Sequence, residues 1–270
     1  MAARNIVGRT RGNRHGQIVR LMSPGDLGEL LKPFVFLDHF DLHGMNGGTE
    51  LHPHSGIATV TYLFEGTIRY EDSNGVTGVV PAGGIEFFKA AHGAWHAGGP
   101  GETGRARGFQ LWLALPPEQE LGPVENIYLS PENVPQDGPA RLLVGSQGAT
   151  TSPLNAGGSA NYMAVRLKKG ESWEYQPPAD HEIGWISISR GRLLVPDFVD
   201  AGELAIFESS NRGIAMAADS DAEFVIGSAI PHAHDLVLGN YSVHTSDVAL
   251  RAGEQRLSEI QHRLHSEGRL

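Results

Sequence analysis

Apolar and polar residues alternate along this chain in short runs, each closed by a glycine- or proline-bearing turn. Residues 17–21 form the first such run, and Pro24-Gly25-Asp26 turns the chain after it. Residues 33–40 are almost continuously apolar, as a strand buried on both faces requires. The β-branched and aromatic run 58–64 stops at Glu65-Gly66, and 67–72 alternates into Ser73-Asn74-Gly75, a hairpin signal. Runs 76–80 and 85–90 flank Pro81-Ala82-Gly83-Gly84, and 108–115 ends before Pro116-Pro117. Strands this short and this regularly punctuated predict a sandwich or a small barrel.

The stretch 116–160 is rich in Pro, Gly, Ser and Asn and carries one predicted strand, 140–145. A module boundary belongs there, because the second half repeats the first in order. Residues 185–195 echo 61–68, and 201–207 echo 82–88. Arg212-Gly213-Ile214-Ala215-Met216 then falls where His92-Gly93-Ala94-Trp95-His96 would be expected. The expected division is 1–130 and 131–270. Near the end, Leu257, Ile260 and Leu264 stand at i, i+3 and i+7, which predicts a C-terminal amphipathic helix.

Candidate chemistry sits in the first module. His52 and His54 flank Pro53, and on a strand alternate side chains share a face, so both rings can enter one interior. His96 can close a three-nitrogen site for a divalent transition metal. The rival reading, surface-loop histidines in a His-rich chain, is weakened by the repeat. Met216 takes the place of His96 in the copy, the region around Pro177-Pro178-Ala179 has no His-x-His, and His181 is the one imidazole nearby. His39 and His43 read as structural or exposed, and His232-Ala233-His234 as a loop.

The chain has no cysteine, which excludes disulfides, thiolate–zinc sites and iron–sulfur ligation and leaves nitrogen and oxygen as metal donors. Its net charge of −10 argues against bulk binding to nucleic acid or anionic lipid. No uncharged apolar run approaches the roughly 18 residues of a membrane span, and no secretory h-region opens the chain, so a soluble cytoplasmic protein is expected.

Taken together, Phe36-Leu37-Asp38, His52-Pro53-His54, Thr59-Val60-Thr61-Tyr62, Glu65-Gly66, Gly93-Ala94-Trp95-His96 and Gln110-Leu111-Trp112 resemble the pirins, two-module members of the cupin superfamily. The resemblance runs in order from about residue 30 to 115. It implies an all-β bicupin: two stacked jelly-roll β-barrels with a short C-terminal helix and one metal in the N-terminal barrel. Pirins are known as iron proteins. Some show quercetin 2,3-dioxygenase activity, which implies a small aromatic molecule as substrate, and others act as transcriptional co-regulators or metabolic regulators, for which a protein partner would be the target here. The family's three histidine ligands carry over to His52, His54 and His96, with Fe(II) the expected ion and Ni, Zn, Mn or Cu left open.

The family's fourth ligand, a glutamate two residues past the last histidine, is absent, because Gly98 stands there. Ala58 occupies the place of the glutamate that often follows the histidine pair in cupins. Glu102, His92 or water are the candidates to fill the gap. Three readings follow. The protein is a metal-dependent dioxygenase, a regulatory protein whose metal is structural or redox-sensing, or a relic that binds no metal.

Overall fold

A computed structural model describes residues 4–44 and 48–270. The chain divides into two units, one built from Met22–Asn133 and His232–Leu270, the other from Met1–Leu21 and Val134–Pro231. Each chain end therefore belongs to the unit formed mainly by the other half of the sequence.

In the first unit, one sheet runs neighbour to neighbour through Glu125–Leu129, Ile85–Lys89, Ile57–Asp72, Arg105–Ala114 and Phe34–His43. The far half of Ile57–Asp72 leaves this sheet for a second one. There it pairs with Thr77–Pro81 and with Ala94–Pro100, and Ala94–Pro100 pairs in turn with Thr49–His54. The two runs expected at 58–64 and 67–72 are thus one strand of 16 residues. Glu65-Gly66 bends it without ending it. Gly66 has φ +78°, a Cβ there would lie 1.8 Å from the Arg105 carbonyl oxygen, and the register against Arg105–Ala114 slips beside it. Such a bulge lets one strand serve two sheets.

The stretch 116–160, expected to hold one strand, also supplies Glu125–Leu129. All five of its residues are half-buried, so no alternation announced it. The C-terminal helix spans Asp247–Ser266, with Ser246 as its cap, and buries Leu257, Ile260 and Leu264. These pack on Trp95, whose indole Nε1–H donates to the Leu257 carbonyl at 3.3 Å.

The second unit sets a seven-stranded sheet beside a four-stranded one. The larger runs from Ile6–Thr10 through Leu204–Phe207, Ile183–Arg190, Ala222–Ala229, Ala160–Leu167 and Ala140–Val144 to Gln136–Asp137; the smaller holds Ser172–Tyr175, Ile214–Ala218, Arg192–Val195 and Asp197–Asp200. One apolar cluster, including Met163, Ile186, Leu193, Phe224 and Met216, joins the two faces. Both units have the jelly-roll character expected of a bicupin. Their strand orders are open, so the sheets are not closed barrels.

Candidate metal centre

Thr49–His54 and Ala94–Pro100 lie antiparallel with His52 opposite His96 and Pro53 opposite Trp95. Strand alternation then divides the side chains. Trp95 turns to the C-terminal helix, and the histidines turn inward. The ring centroids are 4.8 Å apart for His52 and His54, 4.6 Å for His52 and His96, and 5.0 Å for His54 and His96. One nitrogen from each ring lies within 4.8 Å of the others, close enough for the trio to hold a metal ion.

Two of the rings are held from behind. His52 Nδ1 sits 2.9 Å from the Glu50 carbonyl oxygen and His54 Nδ1 sits 2.9 Å from that of Tyr241. A carbonyl only accepts, so each Nδ1 carries the proton and each Nε2 keeps its lone pair for a ligand role. His54 Nε2 and both ring nitrogens of His96 are buried with no hydrogen-bond partner. Burial lowers the His52 pKa to about 4, helped by the neighbouring His96, and pushes that of fully buried His54 well below 6.5. Both are therefore neutral at pH 7, as metal ligation requires.

Aromatic groups wall the site. Phe88 lies flat on His96 at 4.3 Å, and Trp112, itself stacked on Phe36 at 4.0 Å, meets His54 edge-on at 4.8 Å.

Gly98 lies on the same strand face as His96, two residues on. Its φ is outside the left-handed region, and an added Cβ would meet only the Arg69 carbonyl oxygen, at 3.6 Å. Of the residues expected to replace a side chain there, Glu102 is exposed and His92 is half-buried in a turn beside His244. Neither belongs to the histidine group. The carboxylate that does approach it is Glu86, on Ile85–Lys89, with Oε1 3.5 Å from His96 Nδ1. In the sequence Glu86 reads as one more residue of a strand. The available signal was an acid enclosed by Ile85, Phe87 and Phe88.

The remaining histidines lie elsewhere. His39 packs on Phe109, and exposed His43 sits beside Asp41 and Arg105. His181 is buried between the hydroxyls of Ser159 and Ser228. His232 and His234 face each other at 5.4 Å, outside any metal-ligand group among the described residues.

His244 forms a chain that resembles a serine-hydrolase relay. Its Nε2 is 2.9 Å from Ser55 Oγ, and its Nδ1 is 3.0 Å from Glu120 Oε2. All three residues are buried, and the helix backbone at Gly253 approaches so closely that a Cβ would lie 2.6 Å from Ser55 Oγ. No acyl group has room there. The chain instead ties Ser242–His244, and with it the Tyr241 carbonyl, to the strand end that carries His54.

The pirin family pattern matches residues 16–113. Over 215 residues the chain is 31% identical to a pirin-like protein of Caulobacter vibrioides, covering 75% of this chain and 77% of that one. The chain belongs to the pirin family. In fold, this pirin is similar to a quercetin 2,3-dioxygenase from Acinetobacter baumannii, with TM-score 0.85, 21% identity and coverage of 94% and 96% of the two chains. It is also similar to the pirin YhhW of Escherichia coli in complex with nickel(II), with TM-score 0.66, 20% identity and coverage of 83% and 96%. Among the described residues, no helix is long and apolar enough to cross a membrane.

Proposed function

We propose that this pirin holds one divalent transition metal on His52, His54 and His96 and oxidises a small aromatic molecule, as a dioxygenase of the quercetin 2,3-dioxygenase kind. Fe(II) is the expected ion, although nitrogen donors also serve nickel, zinc and copper. The observation that carries this reading is the convergence of three imidazoles whose inward nitrogens include buried atoms with no protein partner. An unsatisfied buried polar atom costs about 1–3 kcal/mol, and a bound cation removes that cost.

When bound, a metal with three protein ligands offers open positions to a substrate oxygen and to dioxygen. The chain's part is to orient and to exclude. The carbonyls of Glu50 and Tyr241 fix the His52 and His54 rings with Nε2 inward. Phe88 and Trp112 keep water from the faces of His96 and His54. The Acinetobacter neighbour is named for the dioxygenase reaction and the Escherichia pirin for a nickel(II) complex, and the reading takes its reaction from the first and support for a metal centre from the second.

Gly98 favours a second reading, because a flavonol oxygenase needs a group to take the substrate's proton and glycine has none. In that reading the metal is structural or redox-sensing and a protein is the partner, since the net charge of −10 disfavours nucleic acid. Oxygen consumption with quercetin, after Fe(II) loading, separates the two. The oxygenase reading expects slow, chelator-sensitive consumption, depressed by about 10²–10⁴ for want of the base. Gly98→Glu, for which the strand has space, should raise it by about tenfold or more. Full iron occupancy with no consumption in either protein would favour the regulatory reading.

A further inference from the structure

We infer that Glu86 is the carboxylate of this centre, a positioning residue that accepts the His96 Nδ1 proton and sets negative charge beside the bound cation. The inference rests on the three-histidine reading above. Glu86 is only 3% exposed, and its Oε1 has no hydrogen-bond partner. His96 Nδ1, at 3.5 Å, is in the same condition. Among the described residues Glu86 has no Lys or Arg partner in an ion pair. Across the sheet it stands opposite Thr61 and Tyr128. The stacked pair Tyr70 and Tyr128 adds no positive charge, and burial together with the Glu86 and Asp72 carboxylates raises both phenol pKa values.

A carboxylate so enclosed is costly unless a cation lies nearby. Three neutral imidazoles around a divalent ion supply one. The pattern of the rings agrees. His52 and His54 are each gripped at Nδ1 by a backbone carbonyl, and Glu86 offers His96 the equivalent grip. All three would then present Nε2 inward. Carboxylates that hold a ligating histidine in this way fix its tautomer and raise its basicity. Because the Glu86 oxygens lie outside the cluster of mutually close ligand nitrogens, the residue acts through His96 and not as a fourth ligand.

Co(II) titration of the full-length metal-free protein, with a competing chelator and the visible spectrum as readouts, tests this. Glu86→Gln keeps size and an acceptor oxygen but removes the charge, and should weaken Co(II) binding about 10–100-fold and shift the visible bands. The melting temperature of the metal-free protein should not fall. Adding Gly98→Glu to Glu86→Gln should recover part of the affinity, because it returns a carboxylate to the same interior. Wild-type affinity and spectrum in Glu86→Gln would overturn the inference. His96→Ala in the same titration keeps the two readings apart. If it abolishes binding while Glu86→Gln changes nothing, only the role of Glu86 falls; if it too binds normally, the three-histidine centre itself falls.

Discussion

The two jelly-roll units carry the same pair of antiparallel strands, and they have filled it differently. In one, His52 faces His96 across the pair and His54 follows two residues on. In the other, Trp173 faces Met216 and Tyr175 follows two residues on. The sequence pattern puts the counterpart of the histidine pair near Pro177-Pro178-Ala179; the register places it at Trp173 and Tyr175. There the residues in the histidines' places are packed or hydrogen-bonded within the protein. Met216 and Tyr175 join the apolar cluster, and the Tyr175 hydroxyl meets Ser228 Oγ at 2.6 Å and Asn161 Nδ2 at 2.9 Å. Around the histidines, His54 Nε2, both His96 nitrogens, Glu86 Oε1 and Trp112 Nε1 are buried without partners. The difference teaches that the fold does not need the imidazoles. What sets the histidine unit apart is that its unpartnered nitrogens converge on one point, where the proposed metal would satisfy them.

The largest effect that can sharpen this contrast is on stability. Met216→Ala removes a buried side chain from a filled core and should cost about 2–5 kcal/mol, with no change in metal content. Calorimetry and metal analysis of the same sample would check both halves. A loss of metal in this variant would break the separation between the units.

Gly253→Ala should come next. Its new methyl group would press on Ser55 Oγ and on His244 Nε2, 2.6 and 2.7 Å away, which costs about 1–3 kcal/mol by overpacking. Because the Ser55–His244–Glu120 chain sits beside the strand end that carries His54, denaturant melts and metal retention should both fall. Unchanged values would show that the chain supports nothing.

A smaller effect follows pH. Burial lowers the pKa of His52 and His54 in one unit and of His181 in the other below the unfolded value of about 6.5. The unfolded chain therefore takes up protons first as pH falls. Metal-free protein should be at full stability above pH 6.5 and lose it progressively towards pH 4, the value to which His52 is lowered. Urea midpoints across that range would show the slope, and a flat profile would contradict the burial argument. Smallest of all, His234→Ala should leave metal content and melting unchanged, because this exposed ring takes no part in either core.

Much of this was legible in the sequence, for physical reasons that differ residue by residue. The histidines stood out because period-two spacing puts 52 and 54 on one face, and because the repeat lacked them. The C-terminal helix was legible from Leu257, Ile260 and Leu264, although nothing local said that Trp95 would receive them. Glu86 was hidden because Ile85–Lys89 is buried at every position, so no inward and outward sides could be told apart by polarity. Gly66 was misleading for a related reason, since a glycine that ends a strand and one that bends it look alike until the partner strand is known. The Ser55–His244–Glu120 chain joins residues more than a hundred positions apart, and no motif connects them.

The central claim is that one unit holds a metal and its copy does not. Metal analysis by mass spectrometry on the purified full-length protein and on His96→Ala tests it most directly. The account predicts close to one equivalent of a divalent transition metal per chain in the first and almost none in the second. Metal-free wild-type protein that takes up no ion on reconstitution, or equal metal in both samples, would contradict it.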